Sequence, residues 1–244
     1  MSVATGVALV TGAAGGIGAA VARRLAADGF LVAGLDVDLA GATEVCKGLE
    51  GAVPVGCDVA DEDSVARAVA EARDALGEVT VLVNAAGYFA RHDVPDLSVL
   101  EWRRFMDVNA MGPFLTCREV LPAMLAAGGG AIVNVVSTAG VRGGRQRAAY
   151  CASKGALLQL TRSLSVDHGP QGVRVNAVCP GLIDTPMADW IRHDAAAMAD
   201  FDASLPAGRI GTADEVADVV SFLVGPSSSY MHGATVMVDG GISA

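Results

Sequence analysis

The chain reads as an α/β protein in which about seven parallel strands form one doubly wound sheet with helices on both faces. Three observations predict this. Short runs of valine, isoleucine and leucine alternate with longer alanine-rich amphipathic runs, the order expected of a parallel sheet with right-handed helical crossovers. The short runs are almost continuously apolar, as strands covered on both faces must be. The 244 residues are 52% hydrophobic and 18% charged, and they contain no internal repeat, low-complexity tract or linker. A single domain over 1–244 is therefore expected.

The elements follow in order. "VALVT" (7–11) reads as the first strand, and "GIGAAVARRLAADG" as the first helix with Gly29 beyond its end. "FLVAGLD" (30–36) and "AVPVGCD" (52–58) are the second and third strands. "DEDSVARAVAEARDALG" (61–77) has acids in its first turn and apolar residues at 65, 69, 72 and 76, a helix closed by Gly77. "VTVLVN" (79–84), "GAIVNVVS" (130–137) and "GVRVNAV" (172–178) are three further strands, with helical regions over about 98–127 and 150–168. The stretch 180–211 is irregular and proline-containing. A structureless connection of that length is uncommon, so a substrate lid near 185–210 is expected.

Net charge is −10, which argues against nucleic acid or an anionic membrane surface as partner. No apolar run reaches the roughly 18 residues of a membrane span, and the N-terminal stretch lacks the features of a secretory signal. Cys46, Cys57, Cys117, Cys151 and Cys179 are odd in number and contain no C-x-x-C pair, so reduced thiols and a cytoplasmic location are expected. His92, His168, His193 and His232 show no zinc-ligand spacing, and no metal is expected.

The first strand runs directly into "TGAAGGIG" (11–18). Glycines at a strand-to-helix turn let the backbone approach a phosphate, and the helix N-terminus supplies unpaired N–H groups. The key glycines are Gly12, Gly16 and Gly18, so the literal G-x-G-x-x-G spacing is missed. Asp36 stands 18 residues after Gly18, at the end of the second strand. An acid there binds a ribose 2′-hydroxyl and repels the 2′-phosphate of NADP. No Arg or Lys lies within 11–18 or 31–40. The turn therefore points to NAD over NADP, against the plainer reading that Asp36 only ends a strand.

Tyr150 and Lys154 in "YCASK" are four residues apart, on one face of a helix. At this point the sequence resembles the short-chain dehydrogenase/reductase family over nearly its whole length. The motifs are "TGAAGGIG" at 11–18, "DV" at 58–59, "NAAG" at 84–87, Asn109 in "DVNAMG" and Ser137 in "VNVVS". "YCASK" at 150–154, "PGLIDTPM" at 180–187 and "VDGG" at 238–241 complete the set in family order.

The resemblance implies a Rossmann-type, metal-free oxidoreductase interconverting a secondary alcohol and a ketone. It makes Tyr150 the acid/base, with Lys154 lowering its pKa and holding the nicotinamide ribose. Ser137 would bind the substrate oxygen, and Asn109 would anchor a relay water. Gly12, Gly16, Ile17 and Gly18 would cradle the dinucleotide. Asp58 and Val59 would meet adenine, and Asn84, Ala85, Ala86 and Gly87 would pass the adenosine ribose. Ile183 and Thr185 would hold the carboxamide, and Pro180 and Gly181 would also bind the cofactor. A homotetramer built through the long helices near 98–127 and 150–168 and through the C-terminal segment is also implied.

The substrate is less legible. Arg142, Arg145 and Arg147 fall within six residues between Ser137 and Tyr150. They suit an anionic substrate group, or a solvated loop or subunit contact, the commoner fate of charged loops. Tyr88 and Phe89 follow "NAAG", and the lid offers Met187, Trp190, Ile191, His193, Met198 and Phe201. These could line an apolar pocket or simply pack. Two rival readings stand beside the dehydrogenase. One is a 3-oxoacyl-carrier-protein or acyl-CoA reductase, against which Ala14, Gly15 and Asp36 speak. The other is a catalytically silent dinucleotide-sensing or scaffold protein, against which the complete set Asn109, Ser137, Tyr150 and Lys154 speaks.

Overall fold

The computed structural model describes residues 6–192 and 195–244. The first half runs β1 (Val7–Thr11), α1 (Gly16–Ala27), β2 (Leu31–Asp36), α2 (Leu39–Cys46), β3 (Ala52–Gly56), α3 (Glu62–Leu76) and β4 (Val79–Asn84). Next come α4 (Val99–Met106), α5 (Gly112–Ala126), β5 (Gly130–Val135), α6 (Ala148–His168) and β6 (Val173–Pro180). The chain ends with α7 (Asp189–Arg192), α8 (Ala195–Ser204), α9 (Ala213–Val224) and β7 (Thr235–Val238).

The described strands form one parallel sheet in the order β3-β2-β1-β4-β5-β6-β7. Successive strands step outward from β1 in one direction through β2 and β3, and then β4 starts the opposite direction. That reversal leaves a crevice beyond the C-terminal ends of β1 and β4, where open α/β sheets bind ligands.

The near-continuous apolar strands are explained by two cores. Leu9, Leu35, Leu82 and Ile132 point into one, beneath α3 and α5. Val10, Val32, Val83 and Val133 point into the other, beneath α1 and α9. Adjacent residues of one strand thus serve opposite cores, and neither face is left for water.

The predicted fold class holds, and the differences are local. The region 98–127 is two helices joined by a five-residue π turn, Asp107–Met111. α2 and β7 were not located in the sequence; at eight and four residues they are too short to show a periodicity of their own. α9 was also missed, although its start carries a capping box in which Thr212 and Glu215 satisfy each other's backbone N–H groups. That T-x-x-E pattern was a usable signal. Among the described residues no helix is long and apolar enough to cross a membrane.

Candidate active site

The glycine turn leaves β1 and enters α1 with its backbone exposed. Gly12 has φ +73° and Gly16 φ +53°, conformations that favour glycine. A Cβ at Gly12 would stand 2.8 Å from the Ala86 nitrogen, and one at Gly18 only 2.0 Å from the Gly12 carbonyl oxygen. No side chain caps α1, whose N-cap is Gly15, and no acid lies in its first turn, so its leading N–H groups remain available to an anion. Gly18→Ala is expected to cost at least about 2 kcal/mol, because backbone must move to admit the methyl group. A thermal melt checks the stability, and NADH fluorescence checks that dinucleotide binding falls with it.

Asp36 is fixed at the tip of β2. Its Oδ2 accepts the Ala14 N–H at 2.9 Å and its Oδ1 accepts the Asp38 N–H at 2.9 Å. It lines a cavity of about 360 Å³ with Gly12, Gly16, Ile17, Gly18, Asp58, Val59, Ala85, Ala86 and Gly87. Thr11 at the end of β1 accepts the N–H groups of Ala85 and Ala86, both at 3.1 Å, holding that turn against the glycine turn.

The Asn84 side chain lies beneath this turn. Its side chain is buried and lines neither cavity. Its Nδ2 donates to Asn134 Oδ1 at 2.9 Å and its Oδ1 accepts from Thr116 at 2.7 Å. Asn134 in turn donates to Thr161. The physical reason is strand alternation, which turns Asn84 under the sheet while Ala85 to Gly87 run along the cleft. Each buried bond contributes on the order of 1 kcal/mol, and an unpaired member would cost more. Asn84 therefore supports the cleft from below.

A second cavity of about 310 Å³ holds Ser137, Tyr150, Lys154, Pro180, Gly181, Ile183 and Thr185. Ile17, Ala85, Gly87, Thr185 and Met187 line both cavities, so the two are halves of one cleft. An uncapped helix start, glycines that leave no room for a Cβ, a fixed carboxylate and a continuous trough fit an extended dinucleotide.

Tyr150 and Lys154 share a face of α6, with Lys154 Nζ 6.0 Å from the phenol ring centroid. Lys154 Nζ donates to the Val135 carbonyl at 2.8 Å. Asn109, in the π turn, is fully engaged. Its Oδ1 accepts the Tyr88 N–H at 2.7 Å, and its Nδ2 donates to the Tyr88 carbonyl and to Ser153 Oγ. A Cβ on Gly87 would lie 3.5 Å from Asn109 Oδ1 and 3.6 Å from Lys154 Nζ, so these three residues meet at one point of the cleft. The Asn109 side chain holds the loop after β4 against α6.

Burial pushes the Tyr150 phenol up to about 12, opposed by a hydrogen bond from Ser137 and by the positive charge of Arg147. Burial also draws Lys154 down to about 8. The Lys154 ammonium donates to the Val135 carbonyl and lies over the phenol ring at 6.0 Å, and the positive charge of Arg147 also favours the phenolate. A raised pKa means that the neutral phenol persists to higher pH. The wild-type minus Tyr150→Phe ultraviolet titration of the dinucleotide-free protein is thus expected to show no phenolate at about pH 10, where a free tyrosine is half ionised.

The predicted pocket residues divide. Phe89 lines the cavity and meets Tyr150 edge-on at 5.0 Å. Tyr88 instead packs on Phe105 and donates to Glu101. Met187, Trp190 and Phe201 line the cavity, whereas Ile191 is buried and Met198 lies off the lining. His193 lies outside the described residues. Arg142, Arg145 and Arg147 all line the cavity. Arg91, which sequence reasoning missed, lies over the Trp190 ring at 4.7 Å.

Fold and cleft define an oxidoreductase with a nucleotide trough beside a tyrosine, a lysine and a serine. A family model described as Enoyl-(Acyl carrier protein) reductase matches residues 12–243. The chain is 42% identical over 247 residues to 2-(R)-hydroxypropyl-CoM dehydrogenase of Xanthobacter autotrophicus, covering 98% of each chain. It is 42% identical over 244 residues to cis-4-hydroxycyclohexanecarboxylate dehydrogenase of Sinomonas cyclohexanicum, covering 98% of this chain and 96% of that one. The crystal structure of gox2181 matches with TM-score 0.94 and 36% identity, over 98% of this chain and 96% of that one. The protein belongs to the short-chain dehydrogenase/reductase family, whose members use a nicotinamide dinucleotide.

Proposed function

We propose that the protein is an NAD-dependent dehydrogenase that interconverts a secondary alcohol and a ketone, with Tyr150 as acid/base. The observation that carries this reading is the convergence of Ser137, Tyr150 and Lys154 on one cavity continuous with the glycine-lined trough. Relatives named for dehydrogenating hydroxypropyl-CoM and hydroxycyclohexanecarboxylate support a secondary carbinol as the reacting group.

Gly12, Gly16, Ile17 and Gly18 would hold the pyrophosphate and Asp36 the adenosine ribose. Asp58 and Val59 would border adenine, and Pro180, Gly181, Ile183 and Thr185 the carboxamide. The nicotinamide supplies the hydride acceptor or donor when bound. Ser137 donates to the substrate oxygen and stabilises the charge that develops there. Tyr150 exchanges a proton with the same oxygen, giving it to a ketone and taking it from an alcohol. The phenol's high pKa in its buried site suits the donor role. Acting as a base near neutral pH requires added positive charge nearby, from Lys154, Arg147 and the oxidised nicotinamide. The Asp36 carboxylate at the ribose position favours NAD, because a 2′-phosphate would meet it at close range.

The description of the matching family model favours a second reading, reduction of a substrate carried on acyl carrier protein. A panel of secondary alcohols, diols, sterols and hydroxyacyl thioesters, followed by NADH and NADPH absorbance, separates the two. Turnover of a simple alcohol with NAD supports the dehydrogenase, and turnover only of thioesters with NADP supports the reductase. We also propose a homotetramer. Leu100, Trp102, Phe114 and Val166 on α4, α5 and α6 expose apolar surface that assembly would cover.

A further inference from the structure

Four arginines gather at the mouth of the catalytic cavity in a chain whose net charge is −10. Arg142, Arg145 and Arg147 line the cavity that holds Ser137, Tyr150 and Lys154. The Arg147 guanidinium lies 5.7 Å from the Phe89 ring centroid and 5.3 Å from that of Trp190. Arg91 lies 4.7 Å from the same indole.

A backbone clamp sets this arrangement. The His92 N–H donates to the Gln146 carbonyl at 3.0 Å, and Gln146 Nε2 donates to Asp93 at 3.1 Å. Gln146 has φ +59°, a strained conformation for a residue other than glycine that persists only where its surroundings enforce it. The clamp holds the residues just before His92 and just after Gln146 side by side, and so brings Arg91 and Arg147 to one ring.

Arg147 is half-buried, and its charged form is disfavoured first by burial and then by repulsion from Arg91 and Arg142. Among the described residues no carboxylate pairs with any of the four arginines. The rings of Phe89 and Trp190 offset part of this cost. A partly desolvated guanidinium is normally matched by an anion as well.

We infer that an anion to match these arginines arrives with the substrate. The alcohol or ketone carries an oxyanion head group, of carboxylate type, that seats against Arg147 with Arg142 and Arg145 beside it. Phe89, which touches both Arg147 and Tyr150, spaces that group from the reacting carbon. The inference rests on the dehydrogenase reading above for the chemistry and names its substrate class.

The test has two arms on the full-length enzyme. In the first, levulinate, 5-oxohexanoate and 4-oxocyclohexanecarboxylate are each compared with their methyl esters, with NADH as reductant. The acids are expected to exceed the esters in kcat/KM by at least about tenfold. Arg147→Met is expected to cut the acid-to-ester ratio of kcat/KM by about that factor, mainly through KM for the acids, whatever it does to the rate the two substrates share. Acids no better than esters in the wild type, or a ratio unmoved by Arg147→Met, overturns the inference.

The second arm needs no turnover. Trp190 emission, read in a Trp102→Phe background with NADH present, is expected to change saturably with the acids and not the esters, and to lose that response in Arg147→Met. No acid-specific response in the parent background overturns the inference whether or not the variant folds. Binding of acids without reduction of any ketone would sink the dehydrogenase reading and keep the anion site. Equal reduction of acids and esters would do the reverse.

Discussion

Tyr150→Phe is expected to lower turnover by about 10²–10⁴-fold, the usual contribution of a positioned acid/base, with NADH binding retained. The substitution removes one oxygen and leaves the ring that packs between Phe89 and Phe105 at centroid distances of 5.0 and 6.5 Å. Loss of activity can therefore be assigned to the proton and not to packing. The phenol also sits on the helix turn held by Ser153, whose hydroxyl donates to the Tyr150 carbonyl and accepts from Asn109. These bonds are untouched by the change. Steady-state rates and NADH fluorescence titration check both halves of the expectation. A variant with near-wild-type turnover would remove Tyr150 from the chemistry.

The second large effect concerns dinucleotide choice. Asp36→Ala combined with Val37→Arg is expected to shift the NAD-to-NADP ratio of kcat/KM by at least about 10²-fold toward NADP. The change removes a repulsive carboxylate and adds a guanidinium suited to phosphate. Val37 is exposed and lines the same cavity as Asp36, so the new side chain has room. Asp36 also anchors the Ala14 N–H, and some loss of absolute rate with both dinucleotides accompanies the switch. Parallel assays with NAD and NADP check the ratio. An unchanged ratio would mean that Asp36 does not meet the ribose.

Much of the frame was legible because it depends on local pattern. The six strands read from the sequence all exist, since continuous apolar runs have no other stable place in a doubly wound sheet. The glycine turn was legible because glycines at a strand-to-helix junction announce a backbone that ligands or neighbours approach closely. What was missed depends on direction or on distant pairing. That the Asn84 side chain points under the sheet is decided by a one-residue alternation. Arg91 is 56 positions from Arg147 in sequence, and the bridge of His92 to Arg147, with its hydrogen bond to the Gln146 carbonyl, brings the two together. Helical spacing aligns Lys154 with the phenol, whereas the positive charge that Arg147 adds there is reached only through the fold.

The most direct measurement follows a labelled hydride. The enzyme is given NADH carrying deuterium at the transferring C4 position, together with levulinate, 5-oxohexanoate, 4-oxocyclohexanecarboxylate, their methyl esters and an enoyl thioester, and the products are read by mass spectrometry. Deuterium on the carbinol carbon of a secondary alcohol, absent with Tyr150→Phe, is the predicted result. Deuterium only on the saturated chain of the thioester, with every ketone left unreduced, would contradict the assignment.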